Sequence, residues 1–130
     1  MISNSNTVLV VDDDPFQCAL IAMQLNSLGW NNVLIAGNGA EALTQFSQHQ
    51  PRIQLIISDL SMPDMDGLEL MRHLAERGFC GGFIVLSGMQ NEILSGAAEL
   101  ATAHGLDVLG CLSKPCEIAK LQPLLEKVVV

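Results

Sequence analysis

Positive charge is scarce. Six Lys and Arg stand against fourteen Asp and Glu, a formal net charge of −8. Such a surface repels phosphate backbones and anionic lipid, which argues against direct nucleic-acid binding and against docking on membranes. No apolar run approaches the ~20 residues a membrane-spanning helix needs. The opening residues, MISNSN, lack a basic stretch followed by an apolar block, so no secretory leader is expected. The four cysteines, Cys18, Cys80, Cys111 and Cys116, form no Cys-x-x-Cys pair. They read as buried apolar thiols in a reducing compartment, and the expected location is the cytoplasm. The histidines His49, His73 and His104 are too far apart in sequence to suggest a zinc site and are expected on helix surfaces or ends.

What is present is an apolar chain of domain size. Hydrophobic residues make up 49% and charged residues only 15%, which excludes a disordered chain. At 130 residues there is room for one ordinary domain, able to fold without a disulfide or metal staple. The expected layout is a flexible segment over 1–6 and a domain over 7–128, with no effector domain in the chain.

Short apolar runs alternate with helical periods. Thr7–Val11, Asn32–Ala36, Ile53–Ile57 and Gly82–Leu86 read as strands, and a fifth begins at Leu106–Leu109. Between them Pro15 starts a helix with a face of Phe16, Ala19, Leu20 and Met23, stopped by Gly29. Asn38 caps a second, with Ala40, Leu43 and Phe46 inward. Gly67 opens a third through Leu68, Leu70, Met71 and Leu74, ended by Gly78. Ile93, Leu94, Ala97, Ala98 and Ala101 mark a fourth, capped by Gly105. A fifth runs from Glu117 through Leu121, Leu124 and Leu125. Strands that are apolar without in/out alternation belong in a parallel sheet covered on both faces. Right-handed crossovers then give an α/β, doubly wound, five-stranded parallel sheet flanked by five helices.

In such a sheet, ligands sit beyond the carboxyl ends of the strands. The first strand runs into Asp12-Asp13-Asp14, the third into Ser58-Asp59, the fourth into Ser87-Gly88, the fifth toward Ser113-Lys114-Pro115. Carboxylates, hydroxyls and one ammonium therefore converge on one edge. Two carboxylates ~4 Å apart repel by about 1–4 kcal/mol, depending on the effective dielectric. Lys114 offsets one negative charge. A divalent ion would balance the remainder of Asp12, Asp13 and Asp59, and an all-oxygen set suits Mg²⁺ where phosphate also binds. Asp14 reads as a helix cap, and Asp64 and Asp66 as turn and cap residues. Glu41, Glu69 and Glu76 read as solvated helix faces. A Gly-rich phosphate loop and a nucleophilic Ser or Cys elbow are both missing, which sets aside an unrelated enzyme of the same architecture.

Val-Val-Asp-Asp-Asp-Pro, Asp59-Leu-Ser-Met-Pro-Asp-Met-Asp-Gly, Leu-Ser87-Gly and Leu-Ser-Lys114-Pro occur in that order, each at a strand end. Over residues 7–128 this pattern resembles the receiver domain of two-component response regulators, of flavodoxin-like fold. The resemblance implies that Asp59 accepts a phosphoryl group from the phosphohistidine of a sensor kinase or phosphotransfer protein. It implies that Asp13 binds Mg²⁺ directly, Asp12 mainly through water, and the Ser61 carbonyl completes the set with Asp59. Lys114 and Ser87 would contact the phosphoryl oxygens, and Pro115 would follow a cis peptide bond. Such a domain is a switch rather than a metabolic enzyme, promoting only its own phosphorylation and dephosphorylation.

Departures from the family pattern carry their own expectations. Cys111 stands where the family usually has Tyr or Phe, and Cys116 where it usually has Phe. The usual aromatic swing cannot operate through residue 111, so the signal is expected to leave through backbone shifts in the loops after the fourth and fifth strands, or through another contact. Phosphate-independent docking is the alternative. Met89 cannot orient an attacking water, which implies slow self-dephosphorylation. The long segment from Ser87 to Lys114 resembles receivers preceding an EAL-type cyclic-di-GMP phosphodiesterase domain, although one extra helical turn would also account for it. The small apolar face of the fourth helix leaves open a homodimer on phosphorylation.

Overall fold

The computed structural model describes residues 7–49, 52–60, 62, 65, 67–79, 81–87 and 107–128. Five parallel strands, β1 (Thr7–Val11), β2 (Asn32–Ala36), β3 (Ile53–Asp59), β4 (Gly82–Ser87) and β5 (Asp107–Ser113), form one sheet in the order β2-β1-β3-β4-β5. The described helices are α1 (Pro15–Ser27), α2 (Gly39–His49), α3 (Gly67–Glu76) and α4 (Ile118–Leu125). Here α4 is the fifth helix expected from sequence. The expected helix through Ile93–Ala101 lies outside the described residues, with Gly105, the segment 1–6, Ser61, Asp64, Asp66, Cys80, Met89 and His104.

Strand residues alternate between two cores. Leu9, Val11, Ile56, Phe83 and Val85 pack against Ala42 and Phe46 of α2 and Leu70 and Leu74 of α3. Val8, Val10, Leu55, Ile57, Ile84 and Leu86 pack against Cys18, Ile21 and Leu25 of α1 and Leu121 and Leu125 of α4. Both faces of the sheet are thus covered, which is why its central strands show no polar alternation. On the first face, Phe46 and Phe79 meet edge-on with centroids 5.7 Å apart.

Helix ends follow the local chemistry. Asp14 Oδ1 accepts from Phe16 N at 3.0 Å and caps α1, with Pro15 in the first turn. Asn38 Oδ1 accepts from Glu41 N at 2.8 Å, while Glu41 Oε1 accepts from Gly37 N at 2.7 Å, a reciprocal pair at the start of α2. Glu41 is therefore a capping residue rather than a merely solvated one. Gly29 (φ +97°) and Gly78 (φ +86°) turn the chain out of α1 and α3 in the left-handed conformation that other residues resist.

Three further expectations are corrected. Phe16 (70% exposed) and Met23 (64%) face solvent, and Ala19 is exposed; the inner stripe of α1 is Cys18, Ile21 and Leu25. This helix is apolar on nearly every side, so periodicity could not choose between two stripes of equal spacing. In α2, Ala40 is exposed and Ala42 faces inward with Gly39 and Phe46. The reason is Gly39: a Cβ there would lie 2.5 Å from Met65 Sδ, so the helix turns its glycine under the methionine. Among the thiols, Cys18 and Cys116 are buried but Cys111 is exposed. The α1 correction is testable by urea unfolding: Ile21→Ala should cost about 2–5 kcal/mol, whereas Phe16→Ala should change stability by no more than about 0.5 kcal/mol.

Candidate functional site

Sheet register builds the site. Val11 of β1 pairs with Ser58 of β3, so the residues that follow, Asp12 and Asp59, emerge side by side. Asp12 N donates to Ala36 O at 3.1 Å, and Leu60 N donates to Leu86 O at 3.1 Å. Backbone bonding thus continues past the apolar runs and fixes both aspartates. Asp12 is 1% exposed and Asp59 2%. Lys114, immediately after β5, lies between them, with Nζ 2.9 Å from Asp59 Oδ2 and 3.1 Å from Asp12 Oδ2.

The two contacts differ. Lys114 Nζ donates a hydrogen bond to Asp59 Oδ2. Asp12 Oδ2 has the ammonium within ion-pair distance but no hydrogen-bond partner among the described residues. The other oxygen, Asp12 Oδ1, accepts from Asp14 N at 2.9 Å. Burial pushes the Asp12 carboxyl above its ordinary value. The Asp14 amide and Lys114 pull the other way, and the charge of Asp59 adds to the rise. Burial presses on the Lys114 ammonium too, but its hydrogen bond to Asp59 and the charges of Asp12 and Asp59 outweigh it and hold its pKa above the usual lysine value.

Asp13 is exposed at the rim. Carboxylate oxygens of Asp12, Asp13 and Asp59 lie within 4.8 Å of one another. The donors are hard oxygens, and one of them is a buried oxygen without a hydrogen bond. That combination fits a hard dication such as Mg²⁺, with Asp12, Asp13 and Asp59 as its holders.

Other expected residues divide by position. Ser87 ends β4 and pairs in register with Ser113; its side chain, and all of Ser61, lie outside the described residues. The Lys114–Pro115 peptide bond is cis, as the resemblance implied. The buried thiols of Cys18 and Cys116 are pushed up to about 11 by burial and nearby carboxylates, which leaves both protonated near neutrality. Sequence reasoning missed three contacts that hold the site: the Asp14 amide on Asp12, Cys18 Sγ donating to Asp12 O at 3.4 Å, and Gln24 Nε2 donating to Cys116 O at 2.9 Å. The first two are local to the Asp12–Cys18 turn. The last spans 92 residues and leaves no local pattern.

The family model of the response regulator receiver domain matches residues 8–126. The chain belongs to that family. As a receiver domain of two-component systems, it is 33% identical over 118 residues to the sensor histidine kinase RcsC of Salmonella typhi, covering 91% of this chain and 12% of RcsC. It is 29% identical to the cyclic di-GMP phosphodiesterase RocR of Pseudomonas aeruginosa, covering 95% of the chain and 31% of RocR. The chain thus spans less than a third of either relative. Among solved structures, the chemotaxis protein CheY4 of Vibrio cholerae superimposes with a TM-score of 0.80 at 26% identity, covering 95% of this chain and 98% of that one. The doubly wound parallel sheet expected from the strand pattern, and the flavodoxin-like fold that the resemblance implied, are borne out. No described helix is long and apolar enough to cross a membrane.

Removing the receiver's ammonium should expose the repulsion it offsets. Lys114→Met should destabilise the metal-free protein by about 1–3 kcal/mol, less than for a fully buried pair because Lys114 is partly solvated. Unfolding with and without Mg²⁺ checks this, since Mg²⁺ should restore much of the loss. A pH series tests the Asp12 shift. Its raised pKa means the folded metal-free chain holds that proton more tightly than the unfolded chain. The associated stability is present at low pH and declines as pH rises through the raised value. Mg²⁺ needs the ionised form, so its stabilising effect should do the reverse. At 100 times the dissociation constant it should reach about 2.7 kcal/mol above neutrality and shrink as pH falls.

Proposed function

We propose that this receiver takes a phosphoryl group on Asp59 from a phosphohistidine of a sensor kinase or phosphotransfer protein. The observation that carries this reading is Lys114 Nζ set between two buried aspartates at 2.9 and 3.1 Å. A carboxylate is a weak nucleophile, so the rate must come from positioning and charge neutralisation. An Asp59 oxygen attacks phosphorus; an O–P bond forms as the P–N bond breaks, and the departing imidazole nitrogen takes up a proton. Lys114 follows the transferred oxygens, and Ser87 at the end of β4 donates its hydroxyl to them. Asp12, Asp13 and the Ser61 carbonyl would hold Mg²⁺ with Asp59. That ion, when bound, offsets the negative charge of the transferring group.

Phosphorylation replaces a charge of −1 at Asp59 with about −2. The excess attracts Lys114 and Ser87 and draws the ends of β5 and β4 inward, biasing a two-state surface. With Cys111 in place of an aromatic ring, the change leaves through the backbone of those loops. The domain acts as a switch and turns over only its own phosphoryl group. The similarity to RocR supports a cyclic-di-GMP phosphodiesterase as the output coupled to it. Three described cysteines are free, which supports a reducing, cytoplasmic setting.

Incubation with acetyl phosphate and Mg²⁺, followed by intact-mass analysis, tests the assignment. One phosphoryl group should appear on the wild type and none on Asp59→Asn. Asp13→Ala should weaken Mg²⁺ binding by about tenfold or more, since losing even an outer-shell partner of a metal site costs about 10–100-fold. Undiminished phosphorylation of Asp59→Asn would overturn the reading.

A further inference from the structure

The segment that carries Lys114 is tied to a helix at the other end of the sequence. Gln24, in the last turn of α1, donates from Nε2 to the carbonyl of Cys116 at 2.9 Å. Cys116 is 4% exposed and packs in the same core as Cys18, Ile21 and Leu25 of α1. Its carbonyl therefore points into a place where water cannot easily satisfy it, and an acceptor there calls for a donor. Gln24 supplies it at a cost: its own Oε1 is buried with no hydrogen-bond partner among the described residues. A methionine or leucine of similar size would avoid that cost. The amide is retained on an inward-facing position where only its donor end is used.

The consequence falls on Lys114, two residues upstream. Its ammonium must reach both Asp12 and Asp59 from the end of β5, with β4 intervening between β3 and β5 in the sheet. A lysine stem is flexible and loses considerable rotamer freedom when held. Anchoring the backbone beside it fixes the point from which it reaches. We propose that Gln24 is a positioning residue for Lys114, clamping the Cys116 carbonyl so that Nζ is delivered to the phosphoryl oxygens.

This rests on the role given to Lys114 under Proposed function, and it separates two affinities. The dication would be held by Asp12, Asp13 and Asp59, whereas the side-chain hydrogen bond of Gln24 goes to the Cys116 carbonyl. The phosphoryl group also needs Lys114. Calorimetric titration of Mg²⁺, then of beryllofluoride at saturating Mg²⁺, reads both. Gln24→Met, which keeps the length but removes the donor, should weaken beryllofluoride binding about five- to tenfold, the scale of one lost hydrogen bond. Its Mg²⁺ affinity should stay within twofold of wild type. Gln24→Lys, which restores a donor, should recover most of the beryllofluoride affinity. If Gln24→Met binds both as the wild type does, the inference is overturned. It is equally overturned if both affinities fall together with the urea midpoint, because that is the signature of a purely structural role. If the wild type binds Mg²⁺ but no beryllofluoride, the phosphoryl-accepting reading itself fails and takes this inference with it.

Discussion

One ammonium facing two buried carboxylates organises this protein. Asp12 and Asp59 would repel each other strongly in so dry a place, and Lys114 offsets only one of their two charges. The pocket is left with a negative remainder, increased by Asp13 at the rim. That remainder makes the site receptive to a dication and, with the dication present, to an anionic group. Had the site been built neutral, it would be more stable and chemically idle. The carboxyl of Asp12 is raised chiefly because it is buried, and the charge of Asp59 adds to that rise.

The fold's task is to hold the tension still. Register alone sets Asp12 beside Asp59, because β1 and β3 are neighbours and their last paired residues are Val11 and Ser58. Lys114 has a harder reach. Two inter-strand spacings separate β3 from β5, roughly 10 Å at the usual spacing. A long side chain from an anchored turn can cross that gap, and a short one could not. Two cores, one on each face of the sheet, keep the strand ends from drifting. Precise placement of a strained polar cluster by rigid surroundings is the general arrangement for a site of this kind.

Much of this was legible in the sequence, for physical reasons that also mark the limits. The central strands, buried on both faces, must be apolar throughout and so stood out as runs, while the edge strands β2 and β5 are only partly covered and still carry enough apolar residues to be read the same way. The strand-end rule then placed Asp12, Asp13, Asp59 and Lys114 on one edge without reference to structure. The strands themselves run farther than their apolar cores: β3 continues through Asp59 and β5 through Ser113, because ladder bonding is indifferent to side-chain polarity. The inner stripe of α1 was misread because that helix is apolar all round and only packing chooses its face. In α2, the choice of Ala42 over Ala40 was settled by Met65 lying across Gly39, a contact between separate elements. Gln24 was invisible for the same reason. A glutamine in a helix looks like a surface residue until the carbonyl it serves, 92 positions away, is seen.

The replacement of an aromatic by Cys111 bears on how such a site could signal. A ring that changes rotamer displaces many atoms; a thiol displaces few. Residue 110 adds no bulk either, since it is glycine, and a Cβ there would lie 2.7 Å from Leu124 Cδ2. At this point the backbone of β5 rests directly on α4. A shift of that strand toward the aspartates therefore needs no swinging side chain to be felt, because the helix lies against the chain itself. The same closeness works in reverse. In the proposed switch, a partner bound to α4 and pressing on Leu124 would act on β5, which ends one residue before Lys114, and so on the reach of its ammonium. Coupling of that kind is reciprocal by thermodynamic necessity, and the bulk missing from positions 110 and 111 makes it a property of main-chain position rather than of a rotamer.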